Sequence, residues 1–155
     1  MKLRNIRKRI LPQSNVAQLG WDNVDPVRRR VMRANTMRDT SPEVEMKRLL
    51  RRHKLSFKCD ARGVGIRYRA DFIFSRPRIA VFVDGCFWHG CPVHWSKSKT
   101  RTAYWLEKRR ANRLRDRQAT KAYVDAGWVV YRIWEHDRGY FQELVVDLAA
   151  RLLTR

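Results

Sequence analysis

The chain has 155 residues, which is enough for one domain with a sizeable core but short for two. Its 35 Lys and Arg residues, against 15 Asp and Glu residues, give a formal net charge of +20. A hydrophobic fraction of 44% argues against global disorder, and no apolar run approaches the ~20 residues that span a bilayer. The charge therefore favours a polyanionic partner such as nucleic acid, with a merely solvated basic surface or a ribosome-type binder as alternatives.

The first segment, residues 1–38, is predicted to be a basic arm with little apolar periodicity. Such an arm either grips phosphates or remains flexible. Residues 39–155 are then expected to form a single domain. Because no apolar stretch follows the basic start, we expect no secretory signal and a cytoplasmic location in association with nucleic acid.

A helix-start signal follows at 40–43, where Thr-Ser-Pro-Glu combines a capping hydroxyl, a proline in the first turn and a glutamate three residues later. Residues 68–74 and 79–83 are typical of strands, and the continuous apolar character of the second predicts a central, buried position. Because each segment ends at polar or Pro-containing residues, we treat them as neighbours in one sheet.

Residues 102 to about 126 indicate a long basic helix that ends at Gly127, followed by a strand at 128–134. Apolar residues at helical spacing between 141 and 152 predict a closing amphipathic helix. The order helix, strands, helix, strand, helix predicts an α/β fold in which helices flank a mixed sheet.

A Cys/His motif follows the buried strand. Cys86, Cys91 and His94 can supply three soft ligands from one loop, and His136 can add a fourth from beyond the last strand. Two thiolates and two imidazoles are typical of a closed, structural Zn²⁺ site. The alternative is that the cysteines are small buried hydrophobes. Cys59 lies apart and is predicted to be a buried thiol.

Two carboxylates indicate a second, harder metal site. Asp71 is a lone carboxylate in an apolar strand, and Asp84 closes the next strand. Burying an unpaired charge is costly, and Mg²⁺ binds one or two carboxylates together with phosphate oxygens. A hairpin register would bring both near one ion. The alternative is that each carboxylate caps a loop or pairs with an arginine.

A long-helix face carries Trp105, Asn112 and Asp116 at positions i, i+7 and i+11. A carboxylate there can hold His89 in one tautomer as a general base for activating water. The alternative pairs Asp116 with a neighbouring arginine of the same helix. Exposed aromatic residues can wedge between bases, although core packing remains the alternative for each one.

A larger set of residues matches one family in order and with nearly unchanged spacing: Met32-Arg-Ala, Arg38-Asp-Thr, Glu43, Asp71-Phe, Gly85-Cys-Phe-Trp-His89, Thr102, Tyr104-Trp-Leu-Glu-Lys108, Asn112, Arg115-Asp116, Gly127-Trp and Trp134-Glu135. On these residues the chain resembles the very-short-patch-repair DNA mismatch endonucleases. The resemblance implies a restriction-endonuclease-like fold and Mg²⁺-dependent nicking of one DNA strand on the 5′ side of the mismatched thymine of a T·G pair.

The resemblance also implies roles for single residues. Asp71 and the main-chain carbonyl of Val83 would bind Mg²⁺, and Glu43 would assist through water. His89 would be the general base, oriented by Asp116. The residues assigned to intercalation or DNA binding are Phe87, Trp88, Trp105 and Asn112. We expect a monomer on double-stranded, mismatched DNA, with downstream repair proteins as further partners.

This chain departs from the family pattern at the metal sites. Asp84 stands where the best-known members carry a second active-site histidine, which suggests the hypothesis of an added direct Mg²⁺ ligand. Cys91 replaces a histidine, His94 needs a one-residue shift, and His136 replaces a cysteine. Four nitrogen and sulfur ligands remain, so we expect zinc to be retained.

Two other functions stay open. A nuclease of the same fold could act on modified or foreign DNA, and a non-catalytic, zinc-stapled module could simply bind DNA. The carboxylates argue against the second alternative, because a protein that only binds anions gains nothing from clustered negative charge.

Overall fold

A computed structural model describes residues 40–95 and 102–153. The predicted basic arm lies outside the described residues, as do the matching residues between 32 and 38. Within the described residues, no helix combines the length and the apolar character needed to cross a membrane.

Residues 40–84 of the described chain form one helix and three strands, as follows: α1 Ser41–Arg52, β1 Lys58–Arg62, β2 Arg69–Phe74 and β3 Ile79–Asp84. Helix α1 begins where the sequence predicts, but the Thr40 hydroxyl does not cap a main-chain amide. It donates instead to the carboxylate of Glu43, over 2.7 Å. The proline in the first turn and the buried Met46 and Leu50 therefore contribute more to this helix than the expected cap does.

The described residues 85–95 and 102–153 contain three α-helices, one strand and a single 3₁₀ turn, as follows: α2 Cys86–His89, α3 Thr102–Asp125, β4 Val129–Trp134, the 3₁₀ turn Arg138–Tyr140 and α4 Phe141–Leu153. Between α3 and β4 the chain turns at Gly127, which has φ +76°. Glycine adopts this left-handed conformation without the steric cost of a side chain, so it ends α3 as the sequence predicts.

The four strands form one mixed sheet in the order β1-β2-β3-β4. The pairs β1–β2 and β2–β3 are antiparallel, whereas β3 and β4 run parallel from Ile79↔Val129 to Asp84↔Trp134. All six residues of β3 are buried. The continuous apolar run thus lies at the centre of the fold, which confirms the prediction for this strand.

Helices cover both faces of the sheet. On one face, α1 and α4 pack over a core that includes Met46, Val81 and Phe141. On the other face, α3 packs through Ala119 and Tyr123 against residues of β2 and β3. The predicted α/β architecture, a sheet flanked by helices, is therefore confirmed.

Three details differ from the sequence prediction. Strand β1 was not predicted, because its residues are mostly exposed at the sheet edge and lack an apolar alternation. Cys59 lies on this strand and is exposed, so the prediction of a buried thiol was wrong. The segment after β3, expected to be a loop, begins with the short helix α2.

Candidate active site and a neighbouring candidate metal site

The parallel strands β3 and β4 end side by side, at Asp84 and Trp134. Because carboxyl ends of parallel strands meet at one edge of a sheet, the segments that follow them are brought together. Glu135 strengthens this junction, since its carboxylate accepts a hydrogen bond of 2.6 Å from the main-chain N–H of Cys86. Two polar clusters form here, and each takes residues from α2.

The first group, which we call the Cys/His cluster, consists of Cys86, Cys91, His94 and His136. Their ligand atoms all lie within 4.8 Å of one another, so the four residues can hold a metal ion. Nδ1 of His136 lies 3.0 Å from Sγ of Cys86 and 3.6 Å from Sγ of Cys91. Nδ1 of His94 lies 3.8 Å from Sγ of Cys91. The structure thus brings together all four residues that the sequence selected.

The surroundings of the Cys/His cluster suit metal ligation. Nε2 of His136 lies 3.2 Å from a carboxylate oxygen of Asp137, which leaves Nδ1 facing the thiols. A carboxylate on the second ring nitrogen is a common support for a histidine that binds a metal. Burial, and next the Cys91 thiol, raise the pKa of Cys86 to about 11. Metal binding at this cluster would therefore release a proton.

Asp71, on β2, is held against the end of β3. One of its carboxylate oxygens accepts a hydrogen bond of 2.7 Å from the main-chain N–H of Val83. Burial raises the pKa of Asp71 from 3.8 to about 7, and the negative charges of Glu43 and Asp84 act in the same direction. A carboxylate that the protein stabilises so poorly in its charged form is a candidate partner for a cation.

The second group, which we call the His/carboxylate cluster, consists of Asp84, His89, Asp116 and Arg132. Nδ1 of His89 lies 2.6 Å from a carboxylate oxygen of Asp116, which is the predicted contact between α2 and α3. The same nitrogen lies 3.7 Å from Asp84. Although burial acts to raise it, the pKa of Asp116 is lowered, because the hydrogen bond and charge of His89 and the charge of Arg132 stabilise the carboxylate.

Sequence reasoning missed Arg132, on β4. Its guanidinium binds both oxygens of Asp84, through Nε at 2.7 Å and Nη2 at 2.5 Å. Nη2 also lies 3.2 Å from Asp116. One arginine among 35 basic residues carries no signal of its own, but its position in an otherwise apolar strand offered a weak one. The alternative reading, in which Asp84 pairs with an arginine, is the geometry that the structure has.

The third feature is an aromatic cluster of Phe87, Trp88 and Trp105. The three rings pack edge to face, with centroids 5.2–5.6 Å apart. Phe87 is 39% exposed and Trp88 is 42% exposed, so both present large apolar surface to solvent. Asn112 is buried, and its side-chain amide donates to the main-chain oxygen of Trp88 over 2.9 Å. The predicted face of α3 therefore contacts α2 through Trp105, Asn112 and Asp116.

These features together define a basic α/β protein with an imidazole–carboxylate pair next to exposed aromatic rings, as expected for an enzyme that acts on nucleic acid. The sequence matches the family model for the DNA mismatch endonuclease Vsr over residues 21–97. It is similar to the type II nicking enzyme V.NaeI of Lentzea aerocolonigenes, with 38% identity over 113 residues that cover 71% of this chain and 68% of that protein.

The chain is also similar to two further relatives. The type II nicking enzyme V.XorIIP of Xanthomonas oryzae pv. oryzae is 33% identical over 117 residues, or 74% of this chain and 84% of that protein. The DNA mismatch endonuclease Vsr of Escherichia coli is 36% identical over 109 residues, or 70% and 69% respectively. The chain belongs to the Vsr family, and it is a DNA endonuclease.

Proposed function

We propose that this endonuclease nicks one strand of double-stranded DNA on the 5′ side of the mismatched thymine of a T·G pair. The observation that carries the proposal is the order of side chains along α2. Phe87 and Trp88 present exposed rings, and the next residue, His89, is held by a carboxylate at 2.6 Å. A base-contacting surface and an acid–base group are thus adjacent in the chain. The E. coli relative, a DNA mismatch endonuclease, supports the mismatch as the target.

His89 is proposed as the general base. Because Asp116 accepts a hydrogen bond from Nδ1, the neutral imidazole keeps Nε2 as its proton acceptor. His89 would take a proton from the attacking water, whose oxygen forms a bond to phosphorus while the bond from phosphorus to the leaving oxygen breaks. Asp116 stabilises the imidazolium that results.

Asp71 and the main-chain carbonyl of Val83 are proposed to hold Mg²⁺, with Glu43 assisting through water. The fit rests on Asp71, whose pKa is raised to about 7 by burial and which therefore gains most from a nearby cation. In a strand, the N–H and C=O groups of one residue point to the same side. The N–H of Val83 donates to the Asp71 carboxylate, so the carbonyl of Val83 also points toward the Asp71 side. The ion would supply stabilisation of negative charge on the phosphate.

Direct ligation of Mg²⁺ by Asp84 remains a prediction. Both of its oxygens bind Arg132, so this role would require an oxygen to be shared between the guanidinium and the ion. Asp84→Ala separates the two roles. A direct ligand predicts weaker activation by Mg²⁺, whereas support of His89 alone predicts a lower rate at unchanged Mg²⁺ dependence.

Zn²⁺ is proposed for the Cys/His cluster. A tetrahedral ion with metal–sulfur bonds of ~2.3 Å and metal–nitrogen bonds of ~2.0 Å places sulfur and nitrogen roughly 3.5 Å apart. Cys91 lies 3.6 Å from His136 and 3.8 Å from His94, close to this value. Zinc would tie the segment after α2 to the segment after β4 and so support the fold.

Recognition of the mismatch is proposed for Phe87, Trp88 and Trp105, with Asn112 as their support. Inserting rings into a base step costs a few kcal/mol of stacking, and a mismatched pair lowers this cost. The hydrogen bond from Asn112 fixes the main chain of Trp88, which keeps the wedge in place before DNA arrives.

The wider assignment follows the same proposal. Residues 39–155 would be a single nuclease domain with a restriction-endonuclease-like fold, and residues 1–38 an arm that contacts DNA. A nick needs one active site, so we propose a monomer that works in the cytoplasm and passes its product to repair proteins. With a net charge of +20, binding should weaken steeply as salt rises.

The test is a nicking assay on an end-labelled duplex with one T·G pair and on its matched T·A twin, each with Mg²⁺ or with a chelator. The proposal expects a Mg²⁺-dependent cut 5′ to the mismatched thymine and no cut in the twin. Equal cutting of both duplexes would retain the endonuclease and reject mismatch specificity. Asp71→Ala provides the matched control, since it should abolish cutting while the duplex is still bound.

A further inference from the structure

Every nitrogen of the Arg132 guanidinium contacts an oxygen atom of the protein. Nε and Nη2 bind Asp84, and Nη2 also lies 3.2 Å from a carboxylate oxygen of Asp116. Nη1 lies 3.4 Å from the main-chain oxygen of Asp116 and 3.2 Å from the hydroxyl of Thr120. Four hydrogen bonds and one ion pair to protein oxygens thus engage all three nitrogens of the guanidinium. Arg132 is therefore arranged to hold side chains rather than to bind a phosphate.

The two carboxylates on Arg132 are also the two that lie near Nδ1 of His89, at 2.6 Å for Asp116 and 3.7 Å for Asp84. Asp84 is 7% exposed, so its charge needs a partner in the protein. Without the guanidinium, two negative groups would face each other beside His89, and their repulsion would displace the less constrained one. Asp116 projects from a helix, so its side chain can move away.

The position of Arg132 in the fold makes this arrangement rigid. It lies on β4 between Tyr131 and Ile133, which pack against the core on the α1 and α4 side of the sheet. Because side chains alternate between the two faces along a strand, Arg132 points to the other face, toward α3. Its guanidinium lies over the ring of Phe82, 4.7 Å from the centroid. The guanidinium thus links the last residue of β3 to α3 at the place where His89 is held.

We propose that Arg132 is a positioning residue of the active site: it fixes Asp116, and with it the orientation of His89, through a shared contact with Asp84. The proposal rests on the proposed role of His89 as general base. Arg132 does not touch the DNA in this account, and its effect on the reaction passes through Asp116.

Arg132→Met, which keeps most of the side-chain length, tests the proposal by single-turnover nicking of the T·G duplex. We expect a loss on the order of 10²-fold in rate, as for other misplaced catalytic groups, with the duplex Kd changed by less than about threefold. Arg132→Lys keeps the charge but cannot span the same acceptors, so it should recover only part of the rate. Arg151→Leu, which removes an exposed ion pair with Asp147 on α4, is the matched control and should nick normally.

A double-variant cycle separates positioning from general support of the fold. If Arg132 acts through Asp116, then Arg132→Met added to Asp116→Asn should lower the rate by less than about threefold further. Losses that multiply would overturn the proposal, and so would a wild-type rate in Arg132→Met or a loss confined to duplex affinity. If the Met variant does not fold, the same criteria apply to the Lys variant.

The failure of the proposed function gives a different result. A wild-type protein that cuts matched and mismatched duplexes equally would reject mismatch specificity, and Arg132 would then be tested on either duplex. If a His89→Ala variant nicked DNA at the wild-type rate, His89 would not be the general base, and the proposed role of Arg132 would fail with it.

Discussion

The Cys/His cluster and the His/carboxylate cluster lie at the same edge of the sheet and share the short helix α2. The first residue of α2, Cys86, belongs to the Cys/His cluster, and its last residue, His89, belongs to the His/carboxylate cluster. They differ in what balances their charge. The His/carboxylate cluster contains its own cation, because Arg132 binds Asp84 and lies 3.2 Å from Asp116. The Cys/His cluster contains thiols and imidazoles facing one another, with an acidic group behind His136.

The difference teaches that two kinds of site can form at one edge of a sheet. A cluster balanced by a guanidinium holds a fixed geometry without an ion and can orient a reacting group. A cluster of soft ligands needs a metal to hold its members together, and the metal then stabilises the fold. We therefore expect changes in the His/carboxylate cluster to affect the nicking rate and changes in the Cys/His cluster to affect stability.

The largest effect on stability should come from Cys91→Ser. Cys91 is 1% exposed and is a member of the Cys/His cluster, so its loss would remove a proposed zinc ligand from the core. We expect loss of bound zinc and a decrease of several kcal/mol in the free energy of unfolding. Metal analysis and urea unfolding provide the measurements.

The exposed Cys59 offers a matched control, because Cys59→Ser should change neither quantity. A strong chelator should lower the stability of the wild type to that of Cys91→Ser and have little effect on the variant. Full metal content together with an unchanged midpoint in Cys91→Ser would break the comparison between the clusters.

A smaller effect concerns the pH dependence of stability. The pKa of Asp71 is about 7 in the folded protein against an ordinary value of 3.8, so the folded state retains its proton to higher pH. In Mg²⁺-free buffer, Asp71 should therefore make the protein less stable as the pH rises from about 4 through about 7. At about 1.4 kcal/mol per pKa unit, the effect should not exceed roughly 4.5 kcal/mol.

Urea unfolding of the wild type and of Asp71→Asn at pH 5 and pH 8 measures this contribution, since other titrating groups are common to both proteins. The wild type should lose more stability than the variant between these values, and added Mg²⁺ should reduce the loss. An identical pH dependence in the two proteins would contradict the burial of an unbalanced carboxylate at this position.

The smallest effect is expected for the aromatic cluster. Trp88→Ala removes a ring that is 42% exposed and leaves both polar clusters intact. We expect the preference for the T·G duplex over the T·A duplex to fall by about 10-fold, as for the loss of a base-stacking contact of 1–3 kcal/mol. Fluorescence anisotropy with both duplexes measures the ratio.

Tyr140→Ala is the control for that experiment, because Tyr140 is another exposed aromatic residue, 61% exposed, but lies in the 3₁₀ turn. It should keep the wild-type preference. If Trp88→Ala also keeps it, the exposed rings of α2 do not read the mismatch, and the comparison is limited to the two polar clusters.

Much of this organisation is visible in the sequence because strong local patterns dominate it. The apolar run of β3 predicted a central, buried strand, and the Cys/His spacing selected four residues that the fold brings within ligand distance. The i, i+7, i+11 spacing on α3 placed Asp116 on the face that meets His89. In each case, a period or a chemical type sets the constraint.

The remaining features depend on tertiary contacts, which local sequence patterns indicate weakly or not at all. The edge strand β1 has no buried face to create an alternation, and this is also why Cys59 is exposed. Arg132 gains its role only when β4 pairs with β3 and brings it beside Asp84. The hydrogen bond from Val83 to Asp71 likewise exists only in the folded hairpin.

The most direct test of the account compares the same substitution in the two clusters, His89→Ala and His136→Ala. For each variant, the single-turnover rate on the T·G duplex and the free energy of unfolding are measured in parallel. We predict that His89→Ala loses at least about 10²-fold in rate at near wild-type stability, a usual size for a general base. His136→Ala should lose zinc and several kcal/mol of stability. A His89→Ala variant that nicks at the wild-type rate, or a His136→Ala variant that is as stable as the wild type, would contradict the division of roles.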